Sequence, residues 1–121
     1  MMSSLDLARA QLAAVFAHDW AYLDGLYDTE VRYLDPDGAL VGRSAVVGRV
    51  RALSDALPDC TYDVRHSTCD GDAAIVEWTL VGGDALSLNV ATAYEVRDGR
   101  IVAERNYWDN LALAPAPAGA E

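Results

Sequence analysis

Amphipathic helices are confined to the first half of this chain and strands joined by short turns fill the second, and that order restricts the fold more than any other feature. Leu5, Ala8, Leu12, Val15 and Phe16 recur at helical spacing, with Ser3 or Ser4 as the cap. His18-Asp19 interrupts the pattern, and Asp19 can cap a second short helix carrying Trp20, Leu23, Leu26 and Tyr27. Val31 to Asp35 reads as a strand stopped by Pro36-Asp37-Gly38, and a short extended piece follows over Ala39 to Val41. Val46, Val47, Val50, Leu53 and Leu57 mark a third helix, closed by Pro58. Beyond it the pattern predicts four strands, Thr61 to Cys69, Ala73 to Val81, Leu86 to Val96 and Ile101 to Trp108. The turns between them, Asp70-Gly71-Asp72, Gly82-Gly83-Asp84 and Arg97-Asp98-Gly99-Arg100, are short enough to join antiparallel neighbours. Helices with one apolar face must lay it on something. The arrangement that satisfies them is an α+β domain in which a cone-shaped, curved antiparallel sheet wraps around the three helices and encloses a pocket.

Composition narrows the function. At 121 residues the chain is one domain, read as 1–111, with a loose Ala/Pro-rich tail over 112–121. A domain this size buries roughly 60–70% of its unfolded surface and needs no disulfide. The formal net charge of −10 repels phosphate backbones and anionic lipid, so neither nucleic acid nor membrane is an expected partner. The nine basic residues are all Arg, which excludes lysine Schiff-base chemistry and a P-loop. Cys60 and Cys69 fit no zinc pattern, even with His18 and His66, and a straight strand between them would hold them too far apart to bond. Two free thiols, no signal-peptide pattern and no apolar run of about 20 residues point to a cytoplasmic protein with no cofactor or metal.

Several stretches carry a resemblance: Tyr33-Leu34-Asp35-Pro36, Gly42-Arg43-Ser44-Ala45-Val46, Leu57-Pro58-Asp59, Val76-Glu77-Trp78, Val96-Arg97-Asp98-Gly99-Arg100-Ile101-Val102 and Arg105-Asn106-Tyr107-Trp108-Asp109. In this order and spacing the chain resembles the SnoaL-like branch of the nuclear-transport-factor-2-like superfamily, with ketosteroid isomerase, limonene epoxide hydrolase and polyketide cyclases as relatives. The resemblance spans Leu5 to Leu113.

The resemblance implies a set of functional positions. Asp35 falls where ketosteroid isomerase keeps its general base, whereas the two oxyanion donors of that enzyme fall on Gln11 and Thr92, both weaker neutral donors. The Asp–Arg–Asp set of limonene epoxide hydrolase falls on Leu80, Trp78 and Asn106, which cannot run its mechanism. The acid/base Asp of the cyclases falls on Asp109. The resemblance thus implies catalysis by Asp35 and Asp109.

Strand alternation gives a pocket list of its own. Val90, Thr92 and Tyr94 share a face, as do Val76, Trp78 and Leu80, and as do Glu104, Asn106 and Trp108. Asp109 has the opposite parity unless a bulge re-aims it, so Glu104 is a second candidate acid. Together with the positions that the resemblance implies, the candidate substrate-binding residues are Gln11, Phe16, Tyr33, Trp78, Thr92, Glu104, Asn106 and Trp108. Plainer roles stand beside these. Asp35 can be a turn residue, Asp109 a solvated strand-end charge, Glu104 half of an ion pair with a neighbouring Arg, and His66 a structural or interfacial residue. The expected function is a cyclase or isomerase of polyketide-type metabolism, working by carboxylate acid/base chemistry on a hydrophobic carbonyl-bearing small molecule. An epoxide-opening ether cyclase and a non-catalytic binding or assembly module are the alternatives. A homodimer through the outer sheet face, with Ile75, Thr79 and Val81, is also expected.

Overall fold

A computed structural model of the chain describes residues 2–83 and 86–109; the tail over 112–121 lies outside them. Helix α1 (Ser4–Phe16) starts at Ser3, whose side chain accepts from the Asp6 amide at 3.1 Å while the Asp6 carboxylate accepts from the Ser3 amide at 3.2 Å. This reciprocal cap closes two of the orphan amides at the helix start. Leu7, Ala8, Gln11 and Leu12 form its buried stripe. Asp19 caps α2 (Trp20–Leu26) through the Tyr22 amide at 3.2 Å. Helix α3 (Arg43–Ala56) buries Val46 and Val50 and packs on β1, while α1 packs on β3, β4 and β5.

The strands are β1 (Tyr27–Asp35), β2 (Gly38–Val41), β3 (Thr61–Asp70), β4 (Ala73–Gly82), β5 (Leu86–Arg97) and β6 (Arg100–Tyr107). They form one six-stranded sheet in the order β2-β1-β6-β5-β4-β3, curved and unclosed around the helices. The hairpin β5–β6 turns on Asp98 and Gly99, both at positive φ (53° and 76°), which is the backbone that a tight two-residue hairpin demands. Two details differ from the sequence reading. The joint between β1 and β6 is parallel, because the chain returns to β1's flank only after the whole β3–β6 meander. Tyr27 leaves the helix and opens β1, four residues before the predicted start of that strand. Its helical spacing from Leu23 and Leu26 was a coincidence of the junction; the short α2 ends as the chain turns into the sheet, and the β1–β6 register shifts between Tyr27 and Arg32.

The core lies between the helices and the inner sheet face. Leu7, Leu12, Leu23, Val31, Val76, Tyr94 and Ile101 are among its buried members. Each such aliphatic side chain contributes about 1.5–3 kcal/mol on leaving water. A smaller apolar group, Leu80, Leu88 and Val90, with Phe16, Leu57, Trp78 and Trp108 against it, leads out of the core toward an opening.

Candidate active site

A cavity of about 120 Å³ lies in that direction, between α1, α3 and the inner face of β4, β5 and β6. All eight of the candidate binding residues line it: Gln11 and Phe16 from α1, Tyr33 from β1, Trp78 from β4, Thr92 from β5, Glu104 and Asn106 from β6, and Trp108 just beyond. Most of the wall is apolar, including Leu12, Val15, Val50, Leu53, Leu80, Leu88 and Val90. Phe16 meets Trp78 edge-on at 5.8 Å and lies 4.6 Å from Tyr62. Gln11, Thr92, Glu104 and Asn106 are buried and form the inner end, whereas His18 and Asp59 are exposed and mark the mouth.

The polar groups at the inner end converge on one carboxyl. Strand register sets Glu104 between Tyr33 of β1 and Tyr94 of β5, and sets Thr92 beside Asn106. Tyr27 donates its hydroxyl to Glu104 Oε1 at 2.6 Å, and Asn106 Nδ2 donates to Oε2 at 2.8 Å. Behind Asn106, Trp78 Nε1 donates to Thr92 Oγ1 at 3.0 Å, and that hydroxyl donates to Asn106 Oδ1 at 2.9 Å. Behind Tyr27, Tyr94 donates to Gln11 Oε1 at 2.7 Å, and Gln11 Nε2 donates to the Tyr27 oxygen at 3.3 Å. Both arms therefore run donor to acceptor toward Glu104.

Glu104 is 1% exposed. Burial pushes its carboxyl above the usual carboxylate range; the Asn106 and Tyr27 donors oppose that shift, and the charge of Asp35 adds to it. Burial and the nearby Glu104 charge hold the Tyr27 and Tyr94 hydroxyls far above their ordinary range, so both act as donors that keep their protons. The expected ion pair of Glu104 with an arginine is not formed. Arg105 points to Glu95 at 2.7 Å, and Arg65 to Asp63 and the Thr79 hydroxyl.

The two carboxyls expected to be catalytic are placed elsewhere. Asp35 is buried on the inner side of β1 but is not among the cavity-lining residues. Its Oδ2 accepts from Arg49 Nε at 2.8 Å and from the Tyr33 hydroxyl at 2.8 Å, and its Oδ1 accepts from the Asp37 amide at 2.8 Å. Arg49 also holds Asp37 at 2.7 Å. This is a turn-and-ion-pair arrangement, and it directs the carboxylate at Arg49. Asp109 is exposed, past the end of β6, and does not line the cavity. Strand parity places it away from Glu104, Asn106 and Trp108, and the one register shift between β5 and β6 lies at Glu95 and Val96, too far away to re-aim it.

A family model described as a SnoaL-like domain matches residues 8–104. The chain belongs to the SnoaL-like domain family. No curated protein sequence is significantly similar to it. Among solved structures, a provisionally named SnoaL-like polyketide cyclase from Jannaschia sp. CCS1 superposes with a TM-score of 0.83 at 16% identity, over 91% of this chain and 88% of the other. An LEH-like epoxide hydrolase of M. tuberculosis superposes with a TM-score of 0.71 at 22% identity, over 90% and 84%. An NTF2-like protein of unknown function from Mesorhizobium loti gives 0.75 at 27% identity, over 88% and 90%. The fold is thus NTF2-like.

In this SnoaL-like chain, sequence reasoning missed Tyr27 as a site residue. Read as the last turn of a helix, it had no route to β6. The available signal was its position, an aromatic ahead of the alternating Val31, Tyr33 and Asp35 on the inner face of one strand. Among the described residues no group of three or more His, Cys, Asp or Glu side chains could hold a metal, and no helix is long and apolar enough to cross a membrane.

Proposed function

We propose that this SnoaL-like domain is a cofactor-independent cyclase or isomerase, with Glu104 as the carboxyl that exchanges a proton with a hydrophobic, carbonyl-bearing substrate of polyketide type. The observation that carries this reading is a buried carboxyl with a raised pKa at the inner end of an apolar cavity, flanked by the carboxamides of Gln11 and Asn106. A carboxyl held above the usual carboxylate range in an apolar cavity is the kind of group that exchanges protons with a bound substrate. Ionised Glu104 takes a proton from the carbon beside a carbonyl, and the C–H electron pair moves into the enolate. Each carboxamide nitrogen carries a second hydrogen beyond the one it gives to Tyr27 or Glu104, and these can hold the enolate oxygen. In an isomerase the proton on Glu104 returns to another carbon. In a cyclase the enolate carbon attacks a second carbonyl, whose oxygen takes that proton. Trp78, Trp108 and Phe16 keep water away from the exchange.

The alternatives receive less support. An ether cyclase needs a second pocket acid, and Asp35 is committed to Arg49 while Asp109 is exposed. A cavity filled by Trp78 and Trp108 would have favoured a non-catalytic module, but both tryptophans line an open one.

The test uses 2-indanone, a small apolar ketone, in D2O. The protein is expected to speed α-proton exchange followed by NMR, and Glu104→Gln is expected to remove the acceleration while the variant stays folded. Exchange no faster than in buffer, or unchanged in a folded Glu104→Gln variant, refutes the assignment of Glu104.

A further inference from the structure

Among the described residues the Glu104 carboxyl has no counter-charge within ion-pair distance. Its two hydrogen-bond partners, Tyr27 and Asn106, are neutral, and no Arg is among the described residues that line the cavity. The other buried carboxyl nearby, Asp35, has Arg49 at 2.8 Å. A buried charge left without a partner is unfavourable, and a partner brought by a ligand removes that penalty. Each oxygen of Glu104 accepts one donor and can accept another. The cavity walls include the rings of Phe16, Trp78 and Trp108, and aromatic faces attract cations. At the mouth stands a second carboxylate, Asp59, and the whole chain carries a formal charge of −10. Such a field draws cations in and turns anions away.

We propose that the cavity binds a small apolar amine as its cation, with the ammonium head against Glu104 and the hydrocarbon body against Phe16, Trp78 and Trp108. The cation supplies the charge that the protein withholds, and its N–H groups meet the spare acceptor positions of the carboxylate. A carboxylate ligand of the same shape would meet Glu104 with like charge. An alcohol would gain a neutral hydrogen bond and nothing from the rings beyond contact. The inference concerns the charge the site accepts and does not rest on carbon–proton exchange. The two readings are independent, and an amine and a ketone would compete for the same cavity.

The experiment compares three probes with one bicyclic body, 2-aminoindane, 2-indanol and indane-2-carboxylate, by calorimetric titration of the full chain at pH 7. The amine is expected to bind about tenfold more tightly than the alcohol or better, and the carboxylate more weakly than both. Glu104→Gln should bring the amine down to the affinity of the alcohol and leave the alcohol within about threefold. Trp108→Leu, at a half-buried position that meets the hydrocarbon body shared by both probes, should weaken amine and alcohol alike by about two- to fivefold. An alcohol that binds wild-type protein as tightly as the amine overturns the proposal, as does a carboxylate that binds best, an amine with no measurable binding, or a folded Glu104→Gln variant that keeps its amine preference. If Glu104→Gln does not fold, the wild-type ranking decides the charge preference, and a Trp108→Leu variant that binds both probes as wild type does overturns the placement of the body. Amine preference without 2-indanone exchange refutes the catalytic reading alone, and exchange without amine preference refutes this one alone.

Discussion

Removing the Tyr27 hydroxyl perturbs the Glu104 hub at one atom. Tyr27 is fully buried, and phenylalanine fills the same space, so Tyr27→Phe deletes the 2.6 Å hydrogen bond to Glu104 Oε1 with little change in packing. A hydrogen bond to a charged group contributes about 1.5–3 kcal/mol. The Gln11 amide also loses its 3.3 Å acceptor, a longer and weaker bond. The sum is about 2–3 kcal/mol when Glu104 is ionised, which in a domain of this length lowers Tm by roughly 8–12 °C. The sign with pH follows from Glu104. Its folded-state pKa is raised, so the native chain holds that proton more tightly than the unfolded one. Its contribution is fully present below the unfolded value and is lost as pH rises through the folded value. Tyr27 moderates that loss by favouring the ionised form. The destabilisation by Tyr27→Phe should therefore be largest at high pH and shrink as pH falls through the titration of Glu104. That titration itself should move further up, because burial then acts with one donor fewer. Melting curves across pH and a ¹³C NMR titration of the glutamate carboxyls measure both effects. A Tm within about 2 °C of wild type at a pH above the Glu104 titration, or a Glu104 titration that moves down, would refute the reasoning.

Other outcomes follow from the same geometry. Asp35→Asn removes the buried partner of a half-buried ion pair and should cost about 1–3 kcal/mol in a denaturant titration, less than for a fully buried pair because Arg49 is partly exposed and Asp37 still holds it. Its folded fraction should exchange 2-indanone protons normally, and loss of exchange at unchanged stability would return the chemistry to Asp35. At Gly82 a Cβ would collide with Cys60 Sγ, so Gly82→Ala should destabilise by about 1–3 kcal/mol and displace Cys60 from the cavity wall; an unchanged unfolding midpoint would contradict that contact. We also propose that two copies pair through the outer sheet face, where Ile75, Val81 and Tyr107 are 45%, 42% and 52% exposed. Sedimentation giving a monomer at micromolar concentration would defeat it.

The elements were legible because their signals are local. The Ser3 and Asp19 caps, the Asp98-Gly99 turn and the alternation of β4, β5 and β6 each depend on a few neighbouring residues, and the structure holds them within a residue or so of the sequence reading. The cavity wall was legible for the same reason, since period-two alternation on a half-buried sheet sorts Thr92, Glu104 and Asn106 to one face. What alternation cannot give is the partner of each polar group. The pairing of Asp35 with Arg49 joins β1 to α3, and that of Glu104 with Tyr27 spans 77 positions. Thr79 shows the same limit on the outer face. It was expected as open apolar surface, yet it is 2% exposed, bonded to Arg65 Nε and to Asn89. The β3 register shifts between Val64 and His66, and Arg65 lies at that irregularity, a local feature with no sequence signature.

The two buried carboxyls differ in what holds them, a difference that family position alone does not carry. Asp35 and Glu104 are both nearly sealed from water, on the adjacent strands β1 and β6, and the charge of one is felt by the other. Two unpaired carboxylates this close cannot both ionise without large penalty. The fold separates them by unequal partners. Arg49 reaches from α3 to Asp35 and neutralises it, and the Asp37 amide fixes its other oxygen in the turn. Glu104 receives only neutral donors, and those arrive through two relays that begin at Trp78 and Tyr94. Arg49 gives Asp35 a counter-charge, whereas no arginine is among the described residues that line the cavity beside Glu104. This contrast in partners is the ground on which we propose proton exchange at Glu104 rather than at Asp35.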